Sequence, residues 1–206
     1  MFFEVIRDGT KPRWPHIFVL VFFTLCFLNI SCLRTKRNLA DYNKRIEALK
    51  ISQQVMPNLR DLPAYEKIYY QYRHITNLPL IFYSETMLLV VTYDETTYQI
   101  EQSKINNYNY LNEAIFKINT VGARTNQVYQ LPEPEFEINS FSFKVLEANR
   151  TNDFWYPNYI GIIATSNEKN SIAYLYFEDQ DLDYISEDET ENAMVKFVEK
   201  YFKYKW

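Results

Sequence analysis

The residues that could carry chemistry are few, and the first candidate is a run of aspartates. Asp179, Asp181 and Asp183 have the alternating spacing that begins an EF-hand calcium loop. That motif needs glycine at its sixth position and a bidentate glutamate at its twelfth, where this chain has Tyr184 and Thr190. We therefore interpret the aspartates as a solvated acidic turn and predict no calcium site.

His74 is the second candidate, since histidine is the usual general base near neutral pH. A general base needs a positioned partner and a substrate pocket, and the sequence assigns neither to His74. We expect an edge-of-core histidine on an amphipathic helix, and we place His16 at a membrane boundary. The 26 acidic residues show no spacing that singles out a catalytic pair. We predict no catalytic residue and no enzyme activity.

Glycine and cysteine usage excludes several further classes of site. The chain has 206 residues but only 3 glycines, so it holds no dinucleotide-binding, phosphate-binding or nucleophile-elbow motif. Both cysteines lie in one apolar run, and there are only 2 histidines, which argues against a zinc or redox site. We predict no bound cofactor and no metal.

Charge is distributed unevenly along the chain. Residues 1–40 carry a net charge of +4, and the remainder carries −8. An acidic domain repels phosphate backbones, so we predict no nucleic-acid partner. The acidic stretch 178–191 leaves open a second interpretation, in which it docks on a basic partner surface.

The strongest pattern is an uncharged run of twenty residues, 14–33. Twenty helical residues span about 30 Å, the thickness of the hydrocarbon core of a bilayer. The run predicts one transmembrane helix over 14–34 that follows a polar tail, 1–13, and contacts the lipid bilayer. Aromatic and basic residues favour the membrane interface, which gives the expected interface anchors Arg13, Trp14, Arg34, Lys36 and Arg37.

The rest of the chain mixes helical and strand patterns. Helical spacing continues through 36–55 and predicts a helical stalk over 35–57, followed by a globular domain over 58–206. Capping and spacing signals predict further helices over 61–74 and 103–119. A capping box at 186–189 predicts a last helix with an apolar stripe of Met194, Phe197, Val198, Tyr201 and Phe202.

Period-two and apolar runs predict the strands of an antiparallel sheet. We expect strands at 80–83 and 87–93, a turn at 94–97 that leads into 98–101, and one long strand over 136–145. Segments 160–165 and 171–177 predict a hairpin around 166–170. The predicted fold class is α+β, with a transmembrane helix and helical stalk before a small antiparallel-sheet domain that carries packed helices.

This arrangement resembles a family of mitochondrial single-pass inner-membrane proteins, the cytochrome oxidase assembly factors and the presequence-translocase subunits that share their fold. The likeness covers 14–37 and 103–177, where 110–117 would be the helix of that family and 141–145, 161–165 and 173–177 its sheet. The resemblance implies a binding role in a membrane complex and no catalytic residues. It implies a domain in the intermembrane space, whereas the basic residues near the apolar run favour the cytosolic or matrix side.

We therefore expect a non-catalytic accessory subunit or assembly factor of a multi-subunit complex in the mitochondrial inner membrane, with other subunits as its partners. The alternative is a single-pass protein of the secretory pathway or cell surface that binds a ligand through its α+β domain. A glycosylation sequon at Asn149 separates the two, because mitochondrial proteins do not receive this modification. The abundant tyrosines fit either an interface or ordinary packing.

Overall fold

The computed structural model describes residues 32–77, 82–111, 115–118, 127–130, 134–149, 159–179 and 193–206. Its main feature is a seven-stranded antiparallel sheet, accompanied by a separate two-stranded pair and three short helices. The strands are β1 Cys32–Lys36, β2 Lys67–Asn77, β3 Phe82–Thr92, β4 Ile115–Ile118, β5 Gln127–Gln130, β6 Glu135–Ile138, β7 Phe141–Asn149, β8 Tyr159–Ser166 and β9 Ser171–Asp179. The helices are α1 Tyr42–Leu49, preceded by a 3₁₀ turn Leu39–Asp41, α2 Glu95–Asn106 and α3 Ala193–Phe202.

The large sheet has the strand order β1-β2-β3-β9-β8-β7-β6, and β4 pairs only with β5. The central strands β3 and β9 contain the continuous apolar runs 87–91 and 172–177, and both runs are buried. A strand that is covered on both faces reads as an unbroken apolar run instead of an alternating one. The sheet is therefore the middle layer of the molecule, with a hydrophobic cluster on each face.

Helix α3 covers one face of the sheet. Its buried stripe consists of Met194, Phe197, Val198 and Phe202, which confirms the predicted apolar stripe at these four positions. Two polar side chains of β2 fix the end of this helix. Gln71 Nε2 donates to the carbonyl of Phe202 at 2.6 Å, and Arg73 Nη1 donates to the carbonyl of Tyr201. These bonds satisfy carbonyls that the last turn of a helix leaves without partners.

The other face is covered by α1, α2 and the segment between α1 and β2. Tyr42, from α1, packs edge-on against Tyr70 of β2 with ring centroids 5.2 Å apart. Val55 is fully buried against Gly161 of β8. A Cβ atom at Gly161 would lie 2.4 Å from Val55 Cγ2, so the close approach of this segment requires glycine.

The predicted fold class is wrong, since strands dominate the described residues and the helical stalk does not exist. Cys32–Lys36 forms strand β1, so a helix cannot continue from the apolar run through 35–57. Helix α1 is only eight residues long, because Asn38 caps the 3₁₀ turn before it and Lys50 ends it in the left-handed region. Among the helices of the described ranges, none has the length and apolar character that a membrane crossing requires. Residues 1–31 of the predicted tail and transmembrane helix lie outside the described residues.

Two further predicted helices are also wrong. Residues 67–77, at the end of the expected 61–74 helix, form β2, whose tyrosines and isoleucines favour strands. Helix α2 covers 95–106 and ends at Asn107, so the predicted 103–119 helix overlaps it by four residues. Strand β4 occupies Ile115–Ile118, which removes the helix that the family resemblance places at 110–117.

The structure agrees more closely with the predicted strands than with the predicted helices. The hairpin of 160–165 and 171–177 is confirmed as β8 and β9 around a turn at 167–170. The described parts of the expected strands 80–83 and 87–93 belong to one strand, β3, which ends at Thr92, whereas 80–81 lie outside the described residues. The expected strand 136–145 is two strands, because the chain reverses at Asn139, whose φ is 52°. Asp94 is the N-cap of α2 and not part of a hairpin turn, since its Oδ1 accepts from the Thr97 amide at 3.0 Å.

Candidate functional site

A row of polar residues crosses the large sheet at one end, on the face that α1 covers. The strand register places Arg34 of β1 opposite His74 of β2, His74 opposite Glu85 of β3, and Glu85 opposite Glu178 of β9. Residues opposite each other in an antiparallel sheet share a face and have Cβ atoms about 4.5–5.5 Å apart. The row therefore brings two glutamates, Glu85 and Glu178, side by side. We call these two residues the carboxylate pair.

The hydrogen bonds of the carboxylate pair are unevenly distributed. Glu85 Oε1 accepts from the Tyr72 hydroxyl at 2.8 Å and lies 2.8 Å from His74 Nδ1. Because a carboxylate can only accept, Nδ1 carries the proton of the second bond. Glu178 Oε2 accepts from the Tyr176 hydroxyl at 2.7 Å. Glu85 Oε2 is buried and has no hydrogen-bond partner, in a residue that is only 9% exposed.

Burial and like charge shape the protonation of these groups. Burial raises the pKa of Glu178, the Tyr176 hydrogen bond partly opposes this, and the charge of Glu85 adds to the rise. Burial, followed by the hydrogen bond to Glu85, raises the pKa of Tyr72, which therefore stays a phenol and a donor. Glu178 consequently takes up a proton more readily than an exposed glutamate would.

His74 lies at the edge of this cluster. Its side chain is 29% exposed, and its ring stacks on Tyr83 with centroids 5.7 Å apart. The location at the edge of the core agrees with the prediction, but the residue lies on a strand and not on a helix. Glu85 is the positioned partner that the sequence did not reveal. His74 and Glu85 lie on the neighbouring strands β2 and β3, and their spacing along the chain does not indicate that they are in contact.

Two described cavities lie elsewhere. A cleft of about 270 Å³ between the 53–62 segment and α2 is lined by Asp61, Tyr108 and Tyr174, together with the ion pair of Glu101 and Lys104. An open groove of about 550 Å³ lies beside Trp206 at the end of α3. Within the described ranges, no group of three His, Cys, Asp or Glu residues could hold a metal ion. Neither of these two cavities brings a substrate to the carboxylate pair or to His74.

Strand β1 forms a second functional candidate, because it is the outer strand of the large sheet. Among the described strands, only β2 pairs with it, and its other edge has no described partner. Residues 33–36 are all exposed, and Leu33 is 51% exposed, one of three large hydrophobic residues with this property in the described part. We call the unpaired side of Leu33–Lys36 the β1 edge.

The opposite edge strand, β6, differs from β1 in chemistry. It is four residues long and alternates exposed Glu135 and Glu137 with buried Phe136 and Ile138. Lys144 of the neighbouring strand pairs with Glu135 at 3.0 Å. Very short edge strands and charged side chains discourage pairing with other chains. The β1 edge lacks the acidic side chains of β6 and displays basic ones.

The predicted interface anchors are only partly within the described residues. Arg34 and Lys36 lie in β1, Arg37 follows directly, and all three are exposed. Arg13 and Trp14 lie outside the described ranges, as do the capping box at 186–189 and most of the acidic stretch. Asp179 ends β9 and is 9% exposed, so it is not part of a solvated turn.

No protein-family model, curated protein or solved structure matches the chain.

Proposed function

We propose that this chain is a non-catalytic subunit or assembly factor of a larger membrane complex, with the mitochondrial inner membrane as its location, and that it acts through protein–protein contacts. The observation that carries the proposal is the β1 edge. A row of unpaired backbone donors and acceptors is a ready template for a strand from another chain. Strand addition of this kind is a recurrent mode of protein recognition.

The rest of the described structure supports a binding role more than a catalytic one. Both faces of the sheet are filled by the protein's own side chains, which leaves the edges as places for a partner. Glu85 positions His74 and lies opposite Glu178, and neither of the two described cavities reaches these residues. The membrane part of the proposal rests on the uncharged run that begins at Trp14, of which residues 14–31 lie outside the described residues.

The test is native fractionation of membranes in mild detergent, with mass spectrometry following this chain across the size range. We expect stoichiometric co-migration with the subunits of one complex. A photo-crosslinking amino acid at Thr35, which is exposed on β1, should attach to one of those subunits. The same group at Lys200, on the exposed side of α3, is the matched control and should attach to none of them.

Two results would contradict the proposal. Migration of the chain alone, near its own mass of 24.8 kDa, would remove the subunit role. Attachment of an N-linked glycan at Asn149, detected as a glycosidase-sensitive mass shift, would place the domain in a secretory lumen and favour the ligand-binding alternative.

A further inference from the structure

We propose that the β1 edge takes up an extended segment of a partner protein that carries acidic side chains at alternate positions. The inference deepens the proposed function, on which it rests, by naming the chemistry of the partner. It depends on three features of β1: its unpaired backbone, the distribution of its side chains between the two sheet faces, and its charge.

The strand register fixes which side chains share a face. Arg34 and Lys36 lie opposite His74 and Tyr72 of β2, on the face that α1 covers. Leu33 and Thr35 lie opposite Ile75 and Arg73 of β2, on the other face. An added strand continues this alternation, because successive side chains point to opposite faces. It therefore meets two cations on one face and a leucine and a threonine on the other.

The two cations are free to bind a partner. Arg34 and Lys36 are exposed, and no ion pair of either is found within the part of the chain that the structure covers. Oppositely charged side chains directly across a pair of strands stabilise it, and like charges destabilise it. Carboxylates at alternate positions of the incoming strand would lie opposite Arg34 and Lys36. Residues 41–206 carry a net charge of −8, so the basic β1 edge differs in charge from the rest of the domain.

The same charges argue against a second copy of the chain as the occupant. In a two-fold antiparallel pair of β1 strands, the arginines and lysines of both copies would lie on the same face. Like charges facing each other across strands cost free energy and suppress wrong partners. The β1 edge is thus open to an acidic strand and closed to itself.

The experiment uses the full chain in mild detergent and two fluorescent octapeptides, one alternating Glu with Val and the other alternating Lys with Val. Fluorescence anisotropy should show binding of the Glu-Val peptide and none of the Lys-Val peptide. In the double variant Arg34→Glu/Lys36→Glu this preference should invert, with affinity for the Glu-Val peptide falling roughly tenfold as two attractive cross-strand pairs become repulsive. Both side chains are exposed, so the fold is expected to survive the change.

Two controls separate strand addition from simple charge attraction. The variant Lys44→Glu/Lys205→Glu changes charge by the same amount at exposed positions outside β1 and should bind both peptides as the wild type does. Hydrogen exchange followed by mass spectrometry should show that the Glu-Val peptide slows amide exchange within 32–36. Ionic capture by the side chains alone would leave those amides unprotected.

Several outcomes would overturn the inference. Equal binding of both peptides, unchanged binding by Arg34→Glu/Lys36→Glu, or absent amide protection would each exclude an acidic added strand. Binding of the wild type to vesicles of phosphatidylcholine and phosphatidylglycerol, lost in that variant and without peptide binding, would assign the cations to a lipid surface instead. Co-migration with a complex that persists in the variant would reject the inference and leave the proposed function standing.

Discussion

The contact of Gly161 with Val55 gives a sharp test of how the α1–β2 segment packs on the sheet. In Gly161→Ala the new Cβ would lie 2.4 Å from Val55 Cγ2 and 2.8 Å from Cγ1, whereas carbon atoms pack favourably at about 3.5–4 Å. Val55 is fully buried, so relief requires a shift of more than about 1 Å in a filled core. Overpacking of this kind costs about 1–3 kcal/mol, and the lower unfolded-state entropy of alanine offsets about 0.4–1 kcal/mol. We expect a net loss of about 1–2 kcal/mol.

The assay is urea unfolding of the full chain in detergent, followed by circular dichroism, for a double-mutant cycle. Val55→Ala removes both clashing methyl groups and leaves the Val55 Cβ, 3.2 Å from the new atom, as the nearest contact. The double variant Gly161→Ala/Val55→Ala should therefore lose less stability than the two single variants together, with a coupling of about 1 kcal/mol or more.

The matched control is Val91→Ala, another fully buried valine in the same cluster. Gly161 pairs with Tyr176, and Tyr176 pairs with Met87. Val91 lies four residues beyond Met87 on β3, which places it about 13 Å along the strand direction from the row that contains Gly161. Its effect should add to that of Gly161→Ala without coupling. Unchanged stability of Gly161→Ala, or equal coupling in the two cycles, would refute the close approach of Val55.

Three further predictions concern the carboxylate pair, the end of α3 and a turn. Folding raises the pKa of Glu178 above its usual 4.5, so the ionised carboxylate lowers the stability of the folded state progressively as the pH rises above that value. The urea midpoint of Glu178→Gln should therefore be higher than that of the wild type at about pH 8 and equal to it at about pH 4. A gain of equal size at both pH values would contradict this. Gln71→Met leaves the Phe202 carbonyl without its hydrogen-bond donor and should lower the free energy of unfolding by about 1–3 kcal/mol in the same assay. Proteolysis of α3 should also be faster, and an unaltered rate would show that this hydrogen bond does not hold the end of α3. Asn139→Val and Asn139→Gly both remove the hydrogen bond from Asn139 Nδ2 to the Trp206 carbonyl at 3.2 Å, but only Val is strained at a φ of 52°. Asn139→Val should therefore cost about 1–2 kcal/mol more than Asn139→Gly in the same urea assay, and equal losses would exclude a conformational cause.

What could be predicted from the sequence depends on how local its signal is. The β8–β9 hairpin and the buried stripe of α3 were predictable, because turn residues and a 3.6-residue period lie within short windows. The sequence before β2 favours a helix, because Asp61 and Pro63 have the pattern of a helix cap followed by a first-turn proline. Burial on both faces of a sheet then outweighs such local preferences.

The candidate site could not be predicted, for a related reason. Glu85 lies near His74 in sequence only through a hairpin, and Glu178 joins them through the pairing of β3 with β9, which no local pattern reveals. The β1 edge carries no local signal either, because basic residues directly after an apolar run are typical of membrane anchors on a helix. Their exposure on one face of an outer strand follows from the pairing of β1 with β2.

The pairing of β3 with β9 has a consequence for how the chain is made. The hydroxyls of Thr92 and Ser171, which meet at the end of this pair, are 79 residues apart in the sequence. At a synthesis rate of 5–20 residues per second, β9 leaves the ribosome about 4–16 s after β3. During that interval the apolar run Met87–Val91 is an unfinished edge, the kind of surface on which nascent chains aggregate or recruit chaperones.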